Sequence, residues 1–179
     1  MDYEALRPER VVHVGLDGEV LAPASGADAP SSEWRMHTDI YRYCPDAGAV
    51  VHAHPPNATA LACTGRGIPA FHYMVAVAGG SDIRCAPYAT FGTADLSRNM
   101  MTAMEDRRAC LLANHGMICY GTDLAAALAP AVEVEALARQ YVIALGPGDV
   151  GILDETQMAE VLERFKTYGR LQPGPADRS

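Results

Sequence analysis

Two histidines one residue apart, His52 and His54, close the short run Ala49-Val50-Val51-His52-Ala53-His54-Pro55-Pro56. Its β-branched valines and the proline pair that ends it predict a short buried strand. Successive strand side chains point to opposite faces, so the two imidazoles share a face, with Cα atoms about 6.5 Å apart. That spacing lets both rings reach one cation. A third candidate is His115, where the apolar Leu111-Leu112-Ala113 ends in Asn114-His115-Gly116. Three neutral imidazoles suit Zn2+, and three protein ligands leave a fourth position open for substrate, the catalytic arrangement rather than the structural one. Two histidines at strand spacing fit equally well as core or rim residues with ordinary hydrogen bonds, and the pair alone leaves both readings open.

The elements that must position these residues follow from the rest of the chain. At 179 residues it is expected to form one domain over residues 1–169 that buries about 70% of its unfolded surface. Five scattered cysteines (Cys44, Cys63, Cys85, Cys110, Cys119) without a C-x-x-C pair predict reduced thiols in a cytoplasmic protein. The start, Met1-Asp2-Tyr3-Glu4, lacks a leader's basic and apolar regions, and no apolar run reaches membrane-spanning length. Net charge is −8 with 14 basic residues thinly spread, which argues against a nucleic-acid partner. An anionic substrate then needs local partners.

Arg10 to Leu21 reads as a hairpin around Asp17-Gly18, with His13 a core or edge histidine among valines, and Ala22 to Pro30 reads as a loop. Ser31 and Ser32 are expected to open a helix to about Tyr43, which places Glu33 in a first turn where the helix dipole alone explains an acid. A short helix is expected from Asn57 to Cys63, an apolar run with His72 and Tyr73 from Ile68 to Val77, and irregular chain from Arg84 to Gly92. Thr93 should cap a helix to Glu105 with Leu96, Met100, Met101 and Met104 inward. Cys110 to Ala113 is predicted as a strand that Met117 to Tyr120 continues. Asp123 should cap a helix to Leu145, kinked or restarted at Pro130, and Asp154 one to Phe165. Residues 170–179 carry too little apolar surface to pack and are expected to be a disordered tail. Strands and helices mixed along the chain predict an α/β fold with a central mixed or antiparallel sheet flanked by helices.

Several blocks in order resemble the class II aldolase/adducin family, most closely its zinc-dependent L-fuculose-phosphate aldolases. They are Ser31-Ser32-Glu33-Trp34-Arg35, Val50 to Pro55, Ile68 to Met74, Ala86 to Thr93, Asn114-His115-Gly116 and Phe165 to Gly169, within a resemblance spanning about Leu6 to Gly169. The resemblance implies the family's three-layer α/β/α fold. It implies one Zn2+ per subunit on His52, His54 and His115, with Glu33 as a metal-facing acid/base. It implies that Tyr73 reaches a neighbouring subunit's site as proton donor, that Ser31 and Ser32 hold phosphate, and that Phe91 and Tyr168 line the aldehyde end. A homotetramer with active sites between subunits is also implied. Family members carry roughly forty residues, two or three elements, ahead of the position of Met1. The expectation is that this family segment, with its Gly-Asn-x-Ser turn and Thr-Pro-Ser/Thr-Gly stretch, is missing here and that part of the phosphate pocket goes with it.

The expected reaction is metal-dependent cleavage of L-fuculose 1-phosphate, or a related deoxyketose 1-phosphate, to dihydroxyacetone phosphate and an aldehyde. The residues fit this independently: a metal supplies the electrophile, a carboxylate and a phenol can divide the proton transfers, and Lys166, the one lysine, lies near the tail where no Schiff base is needed. The same fold also implies alternatives. A methylthioribulose-1-phosphate dehydratase shares zinc and a glutamate, ribulose-phosphate epimerases carry aspartate where Glu33 stands, and an adducin-like assembly module would lack the three histidines.

Overall fold

In the computed structural model, residues 7–22 and 29–167 are described. Most of the expected loop Ala22–Pro30, Tyr168 and the expected tail 170–179 lie outside the described residues.

After a 3-10 turn at Pro8–Arg10, strands β1 (His13–Val14) and β2 (Val20–Ala22) form the expected antiparallel hairpin, short and separate from the main sheet. Gly18, at φ +91°, sits under the Trp34 ring, and a Cβ there would come within 2.4 Å of it. His13 is exposed on β1. Helix α1 (Trp34–Tyr43) follows. It starts after both serines, and neither caps it: Ser31 Oγ accepts instead from the Glu33 amide at 3.2 Å. Glu33 is itself the N-cap residue, at φ −102°, ψ 13°. It stands at the N-cap rather than inside the first turn, still at the positive end of the helix dipole.

Strand β3 (Ala49–Ala53) leads through His54 and Pro55 into α2 (Pro56–Ala62). The run Ile68–Val77 divides into a bridge between Ile68 and Ile83 and a 3-10 helix, Tyr73–Ala78. Within the stretch expected to be irregular, Cys85–Ala86 forms strand β4. Thr93 caps α3 (Ala94–Ala103) by accepting from the Leu96 amide. The strand predicted to run on from Cys110 through Tyr120 is in fact two strands, β5 (Ala109–Leu112) and β6 (Gly116–Gly121), folded back antiparallel about Asn114 at φ +54°. An αL residue reverses the chain, so His115 lies on a hairpin turn. Asp123 caps α4 (Leu124–Leu145), one element through buried Pro130 with no restart, and Asp154 caps α5 (Glu155–Phe165) with a full capping box.

The main sheet has the order β3-β6-β5-β4, antiparallel except for the parallel β4–β5 pair. Alternation along its strands sorts the core into two layers. Val51, Leu111, Met117 and Cys119 pack on α2 and α4, while Val50, Cys110, Leu112, Ile118 and Tyr120 pack on α1 and α3. The result is the expected three-layer α/β/α arrangement with a mixed sheet. By the same alternation His52 falls on the α1 face. Across that layer the buried Ser97 hydroxyl of α3 donates to Asp39 of α1 at 2.6 Å, and Arg42 joins Asp39 to the Leu16 carbonyl of the hairpin. The C-terminal half of α1 is thereby tied to α3 and to the hairpin. Among the described residues, no helix is long and apolar enough to cross a membrane.

Candidate metal centre

The end of β3, the β5–β6 turn and the residue before α1 meet at one point. His52, His54, His115 and Glu33 each present a ligand atom there, all within 4.8 Å of one another. His52 Nε2 lies 2.8 Å from Glu33 Oε2 and 3.0 Å from His54 Nε2, and His115 Nε2 lies 3.0 Å from Glu33 Oε1. His54 comes close because Gly116 lies against it: a Cβ at Gly116 would meet the Ala53 carbonyl at 2.5 Å and the His54 ring at 2.6 Å.

Protonation decides what this cluster can bind. His52 Nδ1 lies 2.8 Å from the Met117 carbonyl, and a carbonyl only accepts, so Nδ1 carries the proton and Nε2 offers a lone pair. Burial, with the neighbouring imidazoles His52 and His54 and against the Glu33 carboxylate, holds the His115 imidazole below its ordinary pKa. Burial and then His52 do the same for His37, one turn along α1. Glu33 Oε1 is buried, and its 3.0 Å approach to His115 Nε2 is not a hydrogen bond, although a desolvated carboxylate oxygen needs a partner. The His52 lone pair and the Glu33 carboxylate, with the imidazoles of His54 and His115 beside them, form a candidate cation site. Three separations of 2.8–3.0 Å fall slightly below the roughly 3.3 Å edge of a tetrahedron of ligands on Zn2+, and the ligand atoms all lie within 4.8 Å of one another. The donor set therefore fits a small divalent ion.

Beside the cluster lies a cavity of about 330 Å³, lined by Ser32, Glu33, His54, Tyr88, Ala89, Phe91, Asn114 and His115. Ser32, expected to hold phosphate, and Phe91, expected to line the aldehyde end, both lie on its wall. Ser31 does not: it faces a different cleft, beside Trp34 and His37. The amides of Glu33 and Trp34 are already engaged by Ser31, and that of Met36 by the Glu33 carbonyl. Tyr73 is 46% exposed, stacks on His72, and lines a groove against α5 rather than this cavity. Tyr88 and Asn114 are cavity residues that sequence reasoning did not single out. The aromatic Tyr88 in a loop of small residues was the available signal.

The sequence profile of the class II aldolase and adducin N-terminal domain matches residues 1–142. The chain belongs to the class II aldolase and adducin family. A 5-methylthioribulose-1-phosphate/5-deoxyribulose-1-phosphate aldolase of Rhodospirillum rubrum is 57% identical over 164 residues, which are 92% of this chain and 72% of that protein. An L-fuculose phosphate aldolase of Escherichia coli strain K12 is 46% identical, over 93% of this chain and 76% of the relative. Among solved structures, an L-fuculose 1-phosphate aldolase superposes with a TM-score of 0.87 at 41% identity, over 93% of this chain and 76% of that one. With such relatives and the histidine–glutamate cluster intact, this member of the family is a class II aldolase, a metal-dependent lyase.

Proposed function

We propose that the chain catalyses retro-aldol cleavage of a short deoxyketose 1-phosphate at a zinc centre held by His52, His54, His115 and Glu33. The observation that supports it most is the Glu33 carboxylate, in contact with two imidazoles and facing a cavity of substrate size. The substrate we favour is 5-methylthioribulose or 5-deoxyribulose 1-phosphate, after the relative at 57% identity, with L-fuculose 1-phosphate second. The exposed rings of Tyr88 and Phe91 on the cavity wall suit an aldehyde fragment ending in a methyl or methylthio group better than one rich in hydroxyls.

Bound zinc supplies Lewis-acid polarisation of the ketose oxygens. The C3–C4 bond breaks, its electron pair passes toward the C2 carbonyl, and C4 becomes the aldehyde as its hydroxyl loses a proton. Glu33 is the carboxylate within the site that can move protons. The Ser32 hydroxyl takes the phosphate end, with Ser31 acting through its hold on the Glu33 amide. Tyr73 lies outside the cavity of its own chain, so its role as proton donor requires a second copy, consistent with a homotetramer whose sites lie between subunits. Tyr168 is proposed to close the aldehyde end.

The test is release of dihydroxyacetone phosphate from these three ketose phosphates, with and without a chelator. Cleavage should stop on chelation and return with added Zn2+, with the five-carbon substrates showing the higher kcat/KM. Cleavage insensitive to chelation would contradict the reading, and a preference for L-fuculose 1-phosphate would reverse the substrate order.

A further inference from the structure

Helix α2 opens in an unusual way. Its N-cap residue is Pro55, at φ −70°, and its first residue is Pro56, so neither side chain can accept from the free amides of the first turn. The missing acceptor comes from α4. Glu135 Oε1 accepts from the Asn57 amide at 3.0 Å and the Asn57 side chain at 2.6 Å, and Oε2 accepts from the Ala58 amide at 2.7 Å. Three charge-assisted bonds converge on one carboxylate.

The anchored amides lie directly after His54-Pro55-Pro56. Two proline rings fix two of the backbone torsions between His54 and Asn57, so holding Asn57 and Ala58 against α4 also limits where the His54 Cα can sit. His54 depends on such a hold. It lies past the end of β3, it is exposed, and among the described residues its one hydrogen-bond contact is the ring of His52. His52, by contrast, has the Met117 carbonyl, and His115 sits in a tight turn closed by its own amide on Leu112.

We propose that Glu135 is a positioning residue for the metal centre, acting as a remote cap on α2 that fixes the backbone of His54. This rests on His54 being a metal ligand, as set out above. Polar groups behind metal ligands commonly contribute ten- to a hundredfold in metal affinity.

The experiment measures the affinity of the 179-residue chain for Zn2+ by competition with a chromogenic chelator, alongside urea denaturation of the metal-free protein. Glu135→Ala should weaken Zn2+ binding about tenfold or more. Glu135→Gln, which keeps one acceptor oxygen, should fall between it and the wild type. Asp154→Ala, which removes the cap of α5 away from the centre, should lower stability and leave Zn2+ affinity unchanged. A Glu135→Ala protein that binds Zn2+ within twofold of wild type overturns the proposal, and so does an unchanged Glu135→Gln if the alanine variant does not fold. Wild-type protein that binds no Zn2+ overturns the metal centre itself, and this role with it.

Discussion

The Nδ1 of His52 donates to the Met117 carbonyl of the neighbouring strand across 2.8 Å, and that bond selects the nitrogen turned toward Glu33. The pairing of β3 with β6 thus fixes which nitrogen of His52 faces the cluster.

His52→Ala should therefore remove a pre-oriented donor, the Nε2 lone pair that the strand pairing presents to the cluster. Zn2+ affinity measured by chelator competition should fall by about a hundredfold or more. His13→Ala, on the exposed face of the small hairpin, should leave it unchanged. Equal affinities for the two variants would contradict the assignment of His52.

Gly116 permits the approach of β6 to His54, where an added Cβ would meet the Ala53 carbonyl at 2.5 Å. The obstacle is backbone and cannot swing aside. Gly116→Ala should lose about 1–3 kcal/mol of stability to overpacking and weaken metal binding as well, read by urea denaturation and cobalt absorption. Stability lost with an unaltered cobalt spectrum would show that His54 is not displaced.

The hydroxyl of Ser97 joins α3 to Asp39 on α1 while buried. Removing it leaves the Asp39 carboxylate with Arg42 alone, so Ser97→Ala should cost about 1–3 kcal/mol. The midpoint of urea unfolding checks this. A midpoint within experimental scatter of wild type would mean that water replaces the hydroxyl.

Burial pushes the Cys119 thiol from an ordinary value of 9.0 up to about 12, and raises Cys110 on the same sheet. Both stay protonated in the fold at pH values where the unfolded chain has ionised them. Above pH 9 the unfolded state binds fewer protons than the folded one, so stability falls with rising pH toward 12 and is independent of these thiols below about pH 8. Urea midpoints collected across that range should decline more steeply in wild type than in Cys119→Ala.

Local signals carried much of the fold. Thr93, Asp123 and Asp154 cap the helices they were expected to cap, because a side chain accepting from an amide three residues on is a short-range bond. Of the expected inward set, Leu96, Met100 and Met104 are buried, whereas Met101 is only half-buried at the edge of that layer. Other features turned on distant partners. Strand β4 is two residues long beside Pro87, too short to leave a pattern, and exists because β5 offers it a parallel edge. The turn at Asn114 was hidden by continuous apolar chain on both sides. At the centre, H-x-H spacing suggested two ligands, whereas the convergence of His115 and Glu33 is a product of tertiary packing. Glu135 left no trace in the sequence around α2, since its partners lie on another helix.

The antiparallel pairing of β3 with β6 has a consequence for how the protein matures. Those strands are separated along the chain by α2, the 3-10 helix Tyr73–Ala78, β4, α3 and β5, so the pairing is a high contact-order event and belongs late in folding. The four donor atoms have no shared location until it is complete. An ion therefore cannot nucleate this domain as it does a zinc finger; it is captured by a chain that has already found its topology.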